Sequence, residues 1–245
     1  MKLSGNTVLI TGGTSGIGLA LAERFLKENE VIICSRSDER LNETVTKLPG
    51  LHIIRCDVSE EGDRIALFNK VTSEFPTVNI VINNAGIQQR LNLKDVDFDT
   101  CRAELATNLE APIHLSVLFI KALIGKDNAH IVNVSSGLAF RPPVWAPVYG
   151  ATKAGLHSFT FSLRAQIADT GIKVMEVIPP AVNTNLGGPG MHTFGADVDK
   201  YADSVWRGFE MGDDEIGFEG NLETRDQTRA QLEQAALESF GRQPR

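Results

Sequence analysis

Short runs rich in β-branched residues alternate along this chain with longer segments of helical periodicity, and this alternation restricts the fold more than any other feature. The first run, TVLIT, ends in glycines and leads into a helical pattern. Strands are predicted at 7–11, 30–34, 51–55, 79–83, 129–135 and 172–178, with a weak one near 214–218, and helices at 16–28, 38–48, 60–74, 98–125 and 149–169. Near-continuous apolar strands separated by helices predict one α/β domain over residues 1–245, with a doubly wound parallel sheet.

Composition excludes several classes of protein. A chain of 245 residues with 42% hydrophobic and 22% charged residues is long and apolar enough for one globular domain. The net charge of -7 disfavours nucleic acid and anionic membranes as partners. We expect no membrane span and no secretory signal. Cys34, Cys56 and Cys101 are far apart, which indicates reduced thiols and a cytoplasmic protein, and the scattered histidines predict no metal site.

The glycine-rich stretch TGGTSGIG, residues 11–18, lies between the first strand and the first helix. Gly12, Gly16 and Gly18 have no Cβ atom, so the backbone can turn tightly and approach a pyrophosphate at the positive N-terminus of the helix. The spacing is G-x-x-x-G-x-G. A purely structural strand–helix turn is the alternative, but the position after the first strand favours a nucleotide site.

The end of the second strand indicates which dinucleotide would bind. An acidic residue there favours a free ribose 2′-hydroxyl, whereas a basic residue suits a 2′-phosphate. Arg36 follows Ser35 at this point, and its planar guanidinium fits a phosphate. Asp38 is interpreted as first-turn charge on the next helix, with Ser37 as its N-cap. We therefore expect NADP(H) to be preferred, with NAD(H) possible; a solvated Arg36 is the alternative.

The stretch VYGATKAG, residues 148–155, contains one of the two tyrosines of the chain. Lys153 follows Tyr149 by four positions, so on a helix both side chains lie on one face, one turn apart. A phenol near an ammonium can serve as an acid with a lowered pKa. An accidental pair on the surface is the alternative, and the pair alone does not decide between them.

Three motifs occur together and in order: TGGTSGIG at 11–18, NNAG at 83–86 and Y-x-x-x-K at 149–153. With this combination the chain resembles the short-chain dehydrogenase/reductase family, in its single-domain branch with a Rossmann-type fold, to about residue 184. The stretches YGATKAGLHSFTFSLR (149–164) and PPAVNT (179–184) resemble a bacterial subgroup associated with D-alanine esterification of teichoic acid.

The resemblance implies roles for individual residues. Tyr149 is the acid or base at the substrate oxygen, and Lys153 binds the nicotinamide ribose and lowers the pKa of the tyrosine. Ser136 holds the substrate carbonyl, and Asn108 bends its helix and binds a relay water. The cofactor-binding residues are Gly12, Thr14, Ser15, Gly16, Ile17, Gly18, Ser35, Arg36, Asp57, Val58, Asn84, Ala85, Gly86, Tyr149, Lys153, Pro179, Val182 and Thr184. The family usually has Pro-Gly where this chain has Pro179-Pro180, so we expect a modified cofactor contact there.

These observations predict an NADP(H)-dependent oxidoreductase acting on a carbonyl or alcohol. An NAD-dependent alcohol dehydrogenase of the same family, or a nucleotide-binding sensor or scaffold without turnover, is the alternative. The apolar residues expected beyond the strand ends are Leu138, Phe140, Trp145, Met191 and Phe194, which favour a medium-sized hydrophobic ketone or aldehyde; packing between subunits or beneath a lid is the other interpretation. Arg90 and Arg141 are interpreted as solvated.

Two further features concern dynamics and assembly. The Gly/Pro-rich region predicts a substrate lid at 185–200, and residues 205–245 are a variable C-terminal segment with a helical, solvated tail from 221. The helices at 98–125 and 149–169 are apolar over much of their circumference, and the resemblance points the same way. We therefore expect a homodimer or homotetramer.

Overall fold

A computed structural model describes residues 1–241 as a parallel sheet of seven strands in the order β3-β2-β1-β4-β5-β6-β7. The strands are β1 (Thr7–Thr11), β2 (Glu30–Ser35), β3 (His52–Arg55), β4 (Val78–Asn83), β5 (His130–Val134), β6 (Lys173–Val177) and β7 (Glu215–Ile216). The helices are α1 (Gly16–Phe25), α2 (Asp38–Lys47), α3 (Glu61–Glu74), α4 (Phe98–Leu105), α5 (Ala111–Leu123), α6 (Pro147–Gln166), α7 (Val198–Met211) and α8 (Arg229–Gly241). The predicted fold class is confirmed.

The central strands are buried on both faces, which is why their sequences are apolar without alternation. Every residue of β1, β4 and β5 is buried. On one face Phe25 of α1 packs with Phe209 and Tyr201 of α7, and on the other Phe119 of α5 packs with Leu163 of α6. Each such side chain stabilises the fold by about 1.5–3 kcal/mol. The three cysteines are free and buried, but Cys34 and Cys56, which are far apart in sequence, lie close enough for their side chains to form a hydrogen bond.

The predicted helix 98–125 is interrupted. It consists of α4, a π-helical turn at Ala106–Glu110 and α5. Pro112 follows the turn; it has no N–H to continue the ladder, and π-turns of this kind often mark functional positions. Asn108 lies inside this turn.

Helix α7 was missing from the prediction, and the proposed lid at 185–200 overlaps its first three residues. The sequence nevertheless carries helix signals. Asp197 is an N-cap whose side chain accepts hydrogen bonds from Asp199 N and Lys200 N. Tyr201, Val205 and Phe209 are buried at a spacing of four residues, which is one apolar face. The glycines just before Asp197 favour a loop and led to a lid prediction for this region.

The segment from residue 221 is not simply a solvated tail. Asn221–Asp226 form a 3₁₀ helix, and Asn221 Nδ2 donates a 2.8 Å hydrogen bond to the carbonyl oxygen of Ile178, just beyond β6. This contact fixes the segment beside the carboxyl ends of the strands. Helix α8 follows it. Among residues 1–241, no helix is both long and apolar enough to cross a membrane.

Candidate active site

The loop between β1 and α1 has the geometry of a phosphate cradle. Gly12 and Gly16 adopt positive φ angles of 67° and 54°, which disfavour side chains. A Cβ atom on Gly12 would lie 2.9 Å from Ala85 Cα, and one on Gly18 would lie 2.4 Å from Asn84 Nδ2. The loop therefore packs directly on the segment that follows β4, and only glycine fits. Its backbone and the N-terminus of α1 suit a pyrophosphate.

One cavity of about 730 Å³ begins at Arg36 and Asp57, passes the glycine loop and reaches Tyr149 and Lys153. Its lining includes most of the residues that the sequence predicted: Gly12, Thr14, Ser15, Gly16, Ile17, Ser35, Arg36, Asp57, Val58, Asn84, Ala85, Gly86, Ser136, Tyr149, Lys153, Pro179, Val182 and Thr184. Gly18 and Asn108 lie outside this lining; the first packs against Asn84 and the second is buried behind the wall.

The end of the cavity beyond the sheet brings Ser136, Tyr149 and Lys153 together. Tyr149 and Lys153 lie one turn apart on α6, both 4% exposed, with the Lys153 Nζ atom 5.7 Å from the tyrosine ring centroid. Lys153 Nζ donates a 2.8 Å hydrogen bond to the carbonyl oxygen of Val134, the last residue of β5. Ser136 follows two residues later, and its Oγ accepts a hydrogen bond from Leu138 N. The surface-pair interpretation of Tyr149 and Lys153 is therefore wrong.

Burial is the main cause of the pKa shifts of both Tyr149 and Lys153. Burial raises the pKa of Tyr149 to about 12, against the lowering effect of a hydrogen bond from Ser136, and the charge of Glu104 raises it further. Burial lowers the pKa of Lys153 to about 8, while the charge of Glu176 acts in the opposite direction. The pKa of Tyr149 in the free protein therefore shifts in the opposite direction to the lowering that the resemblance implies, because desolvation of the phenolate outweighs the hydrogen bond from Ser136.

Asn108 joins the π-helical turn to the loop after β4. Its Oδ1 accepts a 2.9 Å hydrogen bond from Ile87 N, and its Nδ2 donates a 2.8 Å hydrogen bond to Ile87 O. A weaker contact of 3.4 Å reaches Thr152 Oγ1 on α6. The side chain is fully buried. It thus fixes the floor of the cavity beside Tyr149 and Lys153.

At the other end of the cavity, Arg36 lies exposed at the mouth of β2. Asp38 does not neutralise it, because the Asp38 carboxylate lies 3.4 Å from Arg55 Nε instead. Ser37 caps α2, as predicted. Asp57 Oδ1 accepts hydrogen bonds from the backbone and the side chain of Ser59, which hold this carboxylate at the cavity wall.

The substrate end has a partly apolar lining. Leu138, Trp145 and Phe194 line the cavity as predicted, whereas Phe140 and Met191 lie outside the lining. Phe140 packs edge-on against His157, with ring centroids 4.6 Å apart. Two arginines are close by: Arg141 is an exposed lining residue, and Arg90 stacks 4.9 Å from the Trp145 ring centroid.

Several residues of this region were missed from the sequence. Gln88 and His192 line the cavity and form a 2.9 Å hydrogen bond, and Asn221 and Thr224 reach the lining from the C-terminal segment. Their separation in sequence gives no signal of this contact. Glu176 was missed despite a signal, since it is the one acidic residue inside the apolar run IKVMEVI.

Comparison with known proteins identifies the family to which the chain belongs. A family model described as short chain dehydrogenase matches residues 6–192. The uncharacterized oxidoreductase DltE of Bacillus subtilis is 44% identical over 242 residues, 94% of each chain, which confirms the predicted bacterial subgroup. The short chain dehydrogenase/reductase dpfgG of Gibberella zeae is 35% identical over 70% of this chain and 67% of its own.

Solved structures share the fold. A short-chain dehydrogenase from Sphingobium yanoikuyae, in complex with NADPH, superimposes with a TM-score of 0.80 at 24% identity and covers 98% of this chain and 97% of its own. One from Burkholderia phymatum, in complex with NAD, gives 0.83 at 20% identity and covers 100% and 98%. From the family match and its relatives, this chain belongs to the short-chain dehydrogenases, oxidoreductases that act on alcohol and carbonyl groups.

Proposed function

We propose that this protein is an NADP(H)-dependent oxidoreductase that interconverts a carbonyl compound and the corresponding alcohol. One observation carries the proposal: the glycine loop and the trio Ser136, Tyr149 and Lys153 line a single cavity, about 730 Å³ in volume. This size accommodates a dinucleotide and leaves the far end for a substrate.

The dinucleotide would extend along the cavity, with the pyrophosphate on the loop from Gly12 to Gly18. Asp57 and Val58 would contact the adenine, and residues 84–86 its ribose. Lys153 would bind the nicotinamide ribose, and residues 179–184 the carboxamide. Pro180 has no N–H, so we expect fewer backbone contacts at this point than Pro-Gly would give.

The preference for NADP(H) rests on Arg36 and Ser35. Arg36 is exposed at the cavity mouth and Asp38 is engaged with Arg55, so the local charge suits a 2′-phosphate. The fold alone does not decide the preference, since the Sphingobium structure is in complex with NADPH and the Burkholderia structure with NAD.

The bound nicotinamide supplies or accepts the hydride. The chain's own residues handle the proton. During reduction the hydroxyl of Tyr149 donates its proton to the substrate oxygen while Ser136 holds that oxygen by a hydrogen bond. A positive charge nearby favours the phenolate that remains, and the ammonium of Lys153 supplies one. Asn108 would hold a water that relays a proton to Lys153.

The substrate would be a medium-sized hydrophobic ketone or aldehyde. Leu138, Trp145 and Phe194 support this proposal, because an apolar lining favours an apolar ligand. Residues 185–197 would act as a lid over it: Gly187, Gly188 and Gly190 have positive φ angles of 77°, 131° and 79°, which is typical of an irregular loop.

We further propose a homodimer or homotetramer in the cytoplasm. Five large apolar side chains in the ranges 98–125 and 149–169 are exposed on the single chain: Phe98, Leu105, Val117, Ile124 and Phe161. A second copy packed against these helices, the proposed contact face, would cover such side chains. The three free cysteines favour a reducing compartment.

The proposed function is tested with a panel of ketones, aldehydes and alcohols, each assayed with both cofactors by the absorbance of the reduced nicotinamide. We expect turnover of hydrophobic carbonyls with NADPH exceeding that with NADH. Arg36→Asp should reduce NADPH affinity by roughly tenfold or more, since a charged hydrogen bond contributes about 1.5–3 kcal/mol. Arg40→Asp, the same charge change on α2, is the matched control and should leave the preference intact. No turnover with any compound would support a sensor or scaffold instead.

A further inference from the structure

A second charged group lies beside the proposed active site. Glu176 is 1% exposed and is the fourth of the five residues of β6, between the apolar Met175 and Val177. Its Oε2 accepts a 2.8 Å hydrogen bond from His157 Nδ1, and its Oε1 has no partner among the residues that the structure describes. Burial of a carboxylate is costly unless a positive charge compensates it.

The register of the sheet brings Glu176 close to Lys153. Glu176 pairs with Asn133 of β5, and the next residue of β5, Val134, provides the carbonyl that accepts the Lys153 ammonium. Neighbouring strands are about 4.8 Å apart. His157, which holds the carboxylate, lies one turn beyond Lys153 on α6. The carboxylate and the ammonium therefore lie on the same face of the sheet, against α6.

Lys153 needs a compensating negative charge. It is buried, and Val134 accepts one of its three N–H groups. The charged and titratable groups around it on the packed elements are Tyr149 and His157 on α6, Glu104 on α4, Glu110 in the π-helical turn, Glu176 on β6, and Glu215 on β7 with its partner Arg225.

The other carboxylates in this set have hydrogen-bond or ion-pair partners of their own, although that of Glu215 lies within 4.8 Å of Glu176 and His157. Glu110 pairs with Arg64, and Glu215 with Arg225. Glu104 accepts a hydrogen bond from Gln89 N with one oxygen, its other oxygen has no partner among the described residues, and its charge acts on Tyr149. Among these groups, the charge of Glu176 is the one that raises the pKa of Lys153, against the lowering effect of burial.

We propose that Glu176 is the counter-ion of Lys153, a positioning residue whose buried carboxylate keeps the active-site ammonium charged, with His157 holding that carboxylate in place. The inference rests on the proposed role of Lys153 in binding the nicotinamide ribose. The inference adds to this role an acidic partner for Lys153, Glu176 on β6, the strand next to β5. Without it, the ammonium would lose its proton at a lower pH.

The test reads the protonation of Lys153 directly in the free protein, by the ¹³Cε chemical shift of labelled lysine, assigned by the signal missing from Lys153→Met. In the native protein the signal should be that of an ammonium at neutral pH and should titrate near 8. A neutral Lys153 at pH 7 would overturn the proposal without any further variant. The result is independent of substrate and of cofactor preference, so it is separate from a failure of the proposed function.

Glu176→Gln removes the charge and keeps the shape. We expect the titration of Lys153 to move down by roughly one pH unit or more, since an opposite charge nearby shifts a pKa by about 1–3 units. The matched control is Glu215→Gln, the same change at the register partner of Glu176 on β7, and it should move the titration much less. An unchanged titration in Glu176→Gln, or equal shifts in both variants, would contradict the proposal.

Two further variants keep the test decisive. Glu176→Met removes the charge without burying an amide, and it carries the same expectation should the glutamine variant not fold. Glu176→Asp retains the carboxylate and should restore most of the native titration. In Glu176→Gln the affinity for NADPH should also begin to fall at a lower pH than in the native protein, whereas a purely structural role predicts a loss that is equal at all pH values.

Discussion

The ammonium nitrogen of Lys153 lies 5.7 Å from the ring centroid of Tyr149, one turn further along the same helix, and both side chains are buried. The Tyr149 hydroxyl, the proposed proton donor, therefore lies close to an ammonium whose own charge depends on pH. Burial acts on the two groups in opposite directions, because it disfavours the charged form of each.

The first prediction concerns pH. Burial lowers the pKa of Lys153 to about 8, so the ammonium is present below that pH and is lost as the pH rises through it. If dinucleotide binding needs the ammonium, the association constant should fall above this pH, by up to roughly tenfold per unit. Fluorescence titration with NADPH measures it. Lys153→Met should bind more weakly at neutral pH and lose this dependence; a constant affinity of the native protein up to about pH 9.5 would contradict the prediction.

The second prediction concerns the glycine loop. A Cβ atom on Gly18 would lie 2.4 Å from Asn84 Nδ2 and 2.5 Å from Gly12 O, so Gly18→Ala must displace the loop. We expect a loss of about 1–3 kcal/mol in the free energy of unfolding, together with weaker dinucleotide binding. Gly62→Ala on α3 is the control, because nothing lies within 4 Å of its added methyl group. Native affinity of Gly18→Ala for both cofactors would show that the loop does not hold the pyrophosphate.

Sequence patterns predicted the sheet well, because its central strands are buried on both faces and their β-branched runs resemble nothing else in the chain. The cavity lining followed from motifs that are short and local, such as 11–18 and 83–86. Helix α7 was not predicted, because the glycines just before it favour a loop in that region. The pairing of Gln88 with His192, and the return of Asn221 to the strand ends, depend on tertiary packing over more than 40 residues and leave no local signal.

The third prediction concerns the proposed lid, residues 185–197. Its glycines disfavour regular structure, while the hydrogen bond between His192 Nε2 and Gln88 Oε1 links it to the loop after β4. Hydrogen exchange of the backbone amides should be fast in 185–191 in the free protein and slower with cofactor and substrate. Gln88→Ala should increase exchange across 185–197 without changing cofactor affinity. Equal protection in the free and bound states would refute the lid.

The fourth prediction concerns assembly. Light scattering at micromolar concentration should give a mass that is a multiple of 26.7 kDa. Phe161→Asp places a charge on the proposed contact face and should shift the mass toward the single chain. Phe194→Asp makes the same change at a more exposed phenylalanine on the lid and should leave the mass unaltered. A native protein with the mass of one chain would defeat the proposed homo-oligomer.

The central claim is that Tyr149 transfers the proton, and the chain provides a matched control because it contains only two tyrosines. Tyr201 is fully buried on α7, and its hydroxyl has no hydrogen-bond partner among the described residues, so Tyr201→Phe should leave stability and turnover near native. Tyr149→Phe should bind NADPH with nearly native affinity.

The decisive measurement is the rate of NADPH oxidation with the best carbonyl substrate of the panel, compared among the native protein, Tyr149→Phe and Tyr201→Phe. Since general acid catalysis contributes roughly 10²–10⁴-fold, Tyr149→Phe should lose at least about a hundredfold in kcat. Tyr201→Phe should retain the native rate. A Tyr149→Phe enzyme that turns over within a few-fold of the native protein would contradict the account.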